Sequence, residues 1–239
     1  MKGIISLCVI FFVGSILQGY ITISQSNNTP TVTITAPSDK SIFNWNSKLA
    51  YAIKVEDKED GSSTYEEIAD HEVFLKIKFL TGHDTAARSS YQKQDLKESP
   101  VLGLIKRNSC FNCHGLHTKI AAPTFESIAT KYAKHADVLN LLSSKIINGS
   151  KGVWGDSQIM PSHPQLSSDQ SVTIVKWILI NGPDKMLDIQ KGLTGVIKTP
   201  IVSDTSKNGM CLLIATYLDH GIDGDDRQEG SDFLVLKNN

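Results

Sequence analysis

The sequence predicts a multidomain chain of mixed α and β structure, in which a small all-α domain is flanked by an N-terminal β-sandwich-like module and a short C-terminal β segment. Two observations carry this expectation. Apolar residues alternate at period two before about residue 80 and again after about residue 190, whereas between residues 100 and 183 they recur at helical spacing. Residues 81–99 between the first two regimes are polar and charged and read as a linker. A third observation locates the chemistry: Cys110-Phe111-Asn112-Cys113-His114 lies within the helical part.

The first element, residues 1–26, sets the compartment. Lys2 precedes an uncharged apolar stretch over residues 4–23, and Ser24-Gln25-Ser26 supplies small residues at a cleavage-site position. A basic start, an apolar core and small residues behind it read as a secretory signal. At roughly 20 residues the stretch also suffices for an uncleaved membrane anchor. Both readings place the following chain in the periplasm or otherwise outside the cytoplasm. Over 239 residues the formal net charge is only −1, so the basic footprint of a nucleic-acid binder is missing.

Residues 27–80 read as the β module. Val32 and Ile34 alternate with threonines; Leu49, Tyr51, Ile53 and Val55 follow at period two, and Val73, Leu75, Ile77 and Phe79 repeat the pattern opposite Lys76 and Lys78. Asp57-Lys58-Glu59-Asp60-Gly61 has oxygen-rich spacing but lacks the downstream glutamate of an EF-hand, so it reads as a solvated turn.

Residues 100–183 carry the helices. Val101, Leu102, Leu104 and Ile105 lead into the Cys-x-x-Cys-His motif. Pro123-Thr124 opens a helix bearing Phe125, Ile128 and Tyr132. Asp137 stands where it can cap a third with Val138, Leu141, Leu142 and Ile146, which Gly149 stops. The tight loop Gly152-Val153-Trp154-Gly155 and Met160-Pro161 follow. Ser167-Ser168-Asp169 then starts a last helix, with Val172, Val175, Trp177 and Ile178, that Gly182-Pro183 ends.

Residues 184–239 return to β pattern at residues 194–197, 211–217 and 233–236. About fifty residues is little for an independent core, so this segment either packs on a neighbour or is part of a larger module. Asp219-His220-Gly221 and Asp223-Gly224-Asp225-Asp226 read as loops, with calcium or sugar contact as the alternative. Cys211 falls in a strand-like run and reads as a small buried apolar residue.

The motif at residues 110–114 is what covalent attachment of haem c requires. Two thiols three residues apart can add to the two vinyl groups, and the adjacent imidazole of His114 supplies an axial ligand. A zinc ribbon needs a second ligand pair, and the sequence has no second Cys-x-x-Cys. A thioredoxin-type dithiol needs a βαβ setting, whereas helices surround this motif. For the sixth ligand, Met160 stands in a polar stretch between the third and last helices. Its soft thioether raises the potential of the bound iron. His163 is the nearest competitor. His117 and His135 read as loop residues at the surface, and Lys106, Arg107 and Lys119 as surface charges able to steer an acidic partner.

In this order of features residues 100–182 resemble a class I c-type cytochrome: a helix, Cys110-x-x-Cys113-His114, Pro123, two helices, a Gly-x-Trp-Gly loop, Met160-Pro161 and a closing helix with Trp177. The resemblance implies one covalent haem c with His114 and Met160 as iron ligands, and a Pro123 carbonyl that bonds the proximal imidazole. It also implies that Trp154 lies near the haem propionates and that the first helix, at Gly103 or Leu104, crosses the last at Trp177. The residue before that proline is Ala122, where the family usually has glycine. The flanking β module is then of the Ig/PKD-like kind. The whole layout, with the tail Ala215-Thr216-Tyr217-x-Asp219-His220-Gly221, resembles the C-terminal cytochrome region of bacterial sugar dehydrogenases that use pyrroloquinoline quinone. That resemblance implies an electron-transfer protein rather than an enzyme, with redox partner proteins: such a sugar dehydrogenase as donor and a terminal oxidase or other respiratory acceptor. Two other readings stay open, a carbohydrate-binding or adhesion protein with an accessory haem, and a haem-based sensor or enzyme whose sixth ligand is labile.

Overall fold

In the computed structural model the described residues are 26–82, 99–205, 208–222 and 226–238. The N-terminal apolar segment, nearly all of the linker and Asp223 to Asp225 lie outside them.

The period-two stretches form strands where expected. They comprise β1 (Thr31–Ala36), β2 (Ile42–Phe43), β3 (Lys48–Asp57), β4 (Gly61–Ser62) and β5 (Val73–Thr81). After the helices the hairpin β6 (Ser150–Gly152) and β7 (Gly155–Met160) precedes the last helix. Beyond it come β8 (Leu187–Lys191), β9 (Thr194–Lys198), β10 (Gly209–Leu218) and β11 (Glu229–Asn238).

The division into an N-terminal sandwich over 27–80 and a separate segment over 184–239 does not match how these strands pair. One sheet joins β1, β3 and β4, with β9 paired to β3; the other runs β2-β11-β10-β5-β8. Strand β10 is antiparallel to β5 along its whole length, Gly209 opposite Thr81 through Tyr217 opposite Val73, and antiparallel to β11 on its other edge. The two segments therefore complete one sandwich, and the helical domain is inserted between β5 and β8. Gly209 through Tyr217 are buried, which is why the run is apolar at nearly every position: a central strand covered on both faces loses the alternation of a half-exposed one. Inward side chains of both segments share one core, among them Tyr51, Ile53, Val55, Leu75 and Ile77 with Ile197, Cys211, Leu213 and Tyr217. Cys211 is fully buried there. A chain cut after Pro183 would lack β10 and leave β5 with an unpaired edge. Its far-UV spectrum is expected to lose the β signal, whereas retention of a folded sandwich would mean that residues 27–80 stand alone.

The helices are α1 (Pro100–Arg107), α2 (Phe125–Tyr132), α3 (Val138–Asn148) and α4 (Ser168–Asn181). Their starts follow local chemistry. Ser99 Oγ accepts from the Leu102 amide, Thr124 Oγ1 from that of Ser127, and Ser167 with Gln170 closes a capping box. Asp137 occupies the cap position of α3, but its carboxylate accepts from the Asn140 side chain at 2.7 Å and from no backbone amide of the helix. Gly182 ends α4 against α2: a Cβ there would lie 2.7 Å from the Phe125 carbonyl oxygen.

The helical domain sits on the outer face of the five-stranded sheet. Phe74, Leu187 and Ile189 from β5 and β8 share a core with Leu102, Ile105, Phe111, Phe125, Ile174 and Ile178. His117 is a bridge across this seam rather than a surface loop residue. Its Nδ1 lies 2.8 Å from Glu126 Oε2, and its Nε2 donates to the Leu187 carbonyl at 2.8 Å. Lys191 Nζ donates to Asn112 Oδ1 at 2.7 Å and Lys106 Nζ to Thr216 Oγ1 at 2.8 Å. Lys106 is therefore engaged at the seam.

Candidate haem site

The attachment motif is built on one turn. Ser109 takes a left-handed conformation, φ 57°, and the chain then enters a 3-10 turn over Cys110–Asn112. The amides of Cys113 and His114 both donate to the Cys110 carbonyl, at 3.2 and 2.9 Å. Helix-like spacing of i, i+3 and i+4 puts both thiols and the imidazole on one side of that turn. The chain next folds back on itself, with the amides of Ala121 and Ala122 donating to the Cys113 carbonyl at 3.2 and 3.0 Å. Ala122 thus closes this turn without glycine.

That return brings the Pro123 carbonyl 2.6 Å from His114 Nδ1. A carbonyl only accepts, so Nδ1 carries the proton and Nε2 keeps its lone pair. Such a bond fixes the ring orientation and raises ligand basicity. The Phe125 ring stacks on the imidazole, centroids 5.3 Å apart. His114 is 9% exposed. Burial, with a smaller contribution from nearby His163, holds its pKa below the usual range against the opposing Pro123 bond. The ring is neutral at pH 7, the form that can donate to a metal.

Cys110 and Cys113 are not joined to each other by a disulfide. Burial pushes Cys110 up to about 11, whereas a dithiol redox site works through a depressed thiolate pKa. The Cys110 thiol therefore lacks the depressed pKa of a redox dithiol.

Met160 is the last residue of β7, paired with Ser150 across the hairpin, and not part of an irregular loop. Gly149, at φ +75°, lets the chain leave α3 there; a Cβ on it would lie 2.7 Å from the Met160 carbonyl oxygen. Beyond Pro161, the His163 amide donates to the Ile146 carbonyl at 3.0 Å and ties this segment to α3.

The turn, the hairpin and three helices enclose a cavity of about 310 Å³. Every residue predicted for the site lines it: Cys110, Cys113, His114, Pro123, Trp154 and Met160. His163 lines it as well. The sequence reading missed most of the walls. Ile128, Leu142, Ile146, Ile174, Val175 and Ile178 face this space, with Lys145 and Gln158 as polar lining. Their helical spacing had marked an apolar face, but period alone does not separate a face turned to a core from one turned to a flat apolar cofactor. Lys131 Nζ lies 4.3 Å over the Trp154 ring and donates to the Val153 carbonyl at 3.0 Å, which pins the tryptophan loop to α2.

The cavity fits a haem by chemistry as well as by lining. Two thiols, one neutral imidazole with a free lone pair and one thioether converge on an otherwise largely apolar space. The other oxygen-rich stretches are structural instead. Asp57 Oδ1 accepts from the amides of Glu59 and Asp60, and Asp60 from Tyr217 Oη and the His220 amide. Asp219, fully buried, accepts from Asn27 Nδ2 and from the amides of Gly221 and Gln228. Among the described residues no group of three or more His, Cys, Asp or Glu side chains is placed to hold a metal ion.

No family model matches the chain. Individual relatives do. The chain is 40% identical over 76 residues to cytochrome c-552 of Nitrosomonas europaea, across 32% of this chain and 73% of that protein. Identity to cytochrome c-551 of Pseudomonas aeruginosa is 37% over 76 residues, across 32% and 71%. For cytochrome c-552 of Hydrogenobacter thermophilus it is 36% over 77 residues, across 32% and 76%. Among solved structures, wild-type Nitrosomonas europaea cytochrome c552 aligns with 38% identity over 34% of this chain and 98% of that one, at a TM-score of 0.32. Through about a third of its length, and with a single Cys-x-x-Cys-His motif, the chain belongs to the class I c-type cytochromes of the cytochrome c-551/c-552 kind and carries one covalent haem c.

Proposed function

We propose that this protein carries single electrons outside the cytoplasm, between a dehydrogenase-type donor and a respiratory acceptor. The observation that carries the reading is that His114 and Met160, from a turn and a hairpin far apart in sequence, line one cavity with both attachment thiols. Cys110 and Cys113 would hold the haem through their sulfurs, His114 Nε2 and Met160 Sδ would be the donors to its iron, and the Pro123 carbonyl orients the imidazole. When bound, haem supplies the one-electron couple, tuned by axial ligands and burial. The protein would supply both iron donors, and Ile128, Ile146, Val175 and Ile178 would exclude water from the site. His163 is the weaker ligand candidate. Its Nδ1 is engaged at 3.3 Å by the Gln165 side chain.

The apolar segment at residues 4–23 supports an exported chain, whether the segment is cleaved or kept as an anchor. No helix among the described residues is long and apolar enough to cross a membrane. The resemblance of the sequence layout to the cytochrome region of sugar dehydrogenases that use pyrroloquinoline quinone supports such a dehydrogenase as donor and a terminal oxidase as acceptor. With His114 and Met160 both donating to iron, the bound haem would have no vacancy for an exogenous ligand. The haem-loaded full chain is expected to titrate reversibly as a one-electron couple, and its ferrous form to leave the visible spectrum unchanged under carbon monoxide at neutral pH. Rapid stoichiometric binding of carbon monoxide would favour the sensor or enzyme reading instead.

A further inference from the structure

The seam between the helical domain and the sandwich encloses a second cavity, of about 260 Å³. Phe74 and Thr216 reach it from the sheet, Lys106 and Arg107 from the last turn of α1, and Phe111 and Asn112 from the haem-attachment turn. Arg227, on the loop before β11, completes the wall. The cavity is more polar than the haem cavity, and three cations and two carboxylates line it.

Lys106, Arg107 and Arg227 stand against Glu72 and Glu229. Glu72 is already used: its Oε1 lies 2.8 Å from His220 Nε2 and its Oε2 accepts from the Ala69 amide at 3.4 Å. Glu229 and Lys106 have partners as well. Lys106 lies 4.7 Å over the Phe74 ring while donating to the Thr216 hydroxyl. The Arg227 guanidinium is positioned by neutral groups, with Nε donating to the Asp219 carbonyl and Nη2 to that of Leu218 at 3.2 Å. These bonds orient the fork without cancelling its charge. Arg107 is exposed and makes no hydrogen bond or ion pair among the described residues. Two guanidinium forks and an oriented ammonium facing one polar cavity form the donor set that recognises planar or tetrahedral oxyanions.

We propose that this cavity is a seat for a small oxyanion, a carboxylate or a phosphate, at the seam beside the haem-attachment turn. Arg107 and Arg227 bind the oxygens, Lys106 contributes field from the wall, and the Phe74 and Phe111 rings flank the bound molecule. Phe111 belongs to the turn that carries Cys110 and Cys113, and its ring meets Phe125 at 5.6 Å, which in turn stacks on His114. A negative charge seated there stabilises ferric over ferrous haem. By reciprocity the oxidised protein binds the anion more tightly. This coupling rests on the electron-carrier reading, whereas the seat itself does not.

The test is a calorimetric titration of the haem-loaded full chain with inorganic phosphate, and separately with acetate, at ionic strength held constant with sodium chloride. Saturable one-to-one heat from phosphate alone assigns a phosphate seat, from acetate alone a carboxylate seat, and from both a general oxyanion seat. Arg107→Gln, on an exposed helix end, is expected to weaken binding about tenfold. Arg227→Lys, checked for an unchanged thermal melt, is expected to weaken it in the same direction. No saturable heat from either probe, or unchanged binding in Arg107→Gln, overturns the seat. The midpoint potential is expected to fall as the probe saturates; saturable binding with a constant potential overturns the coupling alone.

Discussion

A chain with both Cys110 and Cys113 replaced by alanine is expected to contain no covalently attached haem. Haem staining after denaturing electrophoresis, or the intact mass of the purified chain, reads this directly. The reasons are structural. The 3-10 turn puts these two sulfurs beside His114 in one cavity, and the other described cysteine, Cys211, is fully buried in the sandwich core. The sequence holds no second Cys-x-x-Cys pair to substitute. The helical domain should suffer as well, because its apolar walls face a cavity of about 310 Å³ that would stand empty without the haem. A cofactor bound only by the folded state adds its binding energy to folding. The double variant is therefore expected to lose protection of α2, α3 and α4 from amide exchange, while β3, β5 and β10 keep theirs. Each single variant should retain one thioether link. Covalent haem in the double variant would sink the attachment assignment.

Met160→Ala is expected to separate ligation from attachment. The haem stays covalent, since Cys110 and Cys113 are untouched, but the ferric protein should lose the sulfur-to-iron charge-transfer absorption and the potential should fall. Axial ligands set haem potentials over roughly 0.8 V, so loss of a thioether should lower the midpoint by on the order of a tenth of a volt or more. The ferrous variant should also gain carbon monoxide binding. The backbone of Met160 pairs with Ser150, and that pairing does not depend on the side chain. The variant therefore removes the donor without removing the strand. Met160→His should restore six-coordination at a still lower potential than the parent. If Met160→Ala keeps the parent spectrum and potential, another residue ligates the iron, and His163 is the next to substitute because it lines the same cavity.

Much of the site was legible in the residue order because its chemistry is local. Cys110, Cys113 and His114 act through spacing within a single turn, and Pro123 reaches the imidazole through a short return of chain. Trp154 and Met160 were legible by their order along the chain, but not the hairpin that presents them. Residues 150–160 are rich in glycine and polar groups, and the pairing of Ser150 with Met160 has no alternating apolar signature. His117 and Lys106 were misread as surface groups. Polar residues that bridge two units look in sequence like polar residues in water; only the Leu187 carbonyl and the Thr216 hydroxyl, both distant in the chain, reveal their roles.

The β segments divide in the same way. Sequence alone determined that β1, β3, β5, β9, β10 and β11 are strands, because period and strand-forming residues act over a few positions. It also determined the helical insert, its helix starts at Thr124 and Ser167, and the haem motif. Only the tertiary structure decided that β10 lies between β5 and β11, so that residues far apart close one sandwich around an inserted haem domain. The physical reason is that neither segment buries enough apolar surface by itself. Backbone hydrogen bonds and a shared core choose the partner, and no local pattern encodes which strand that partner is.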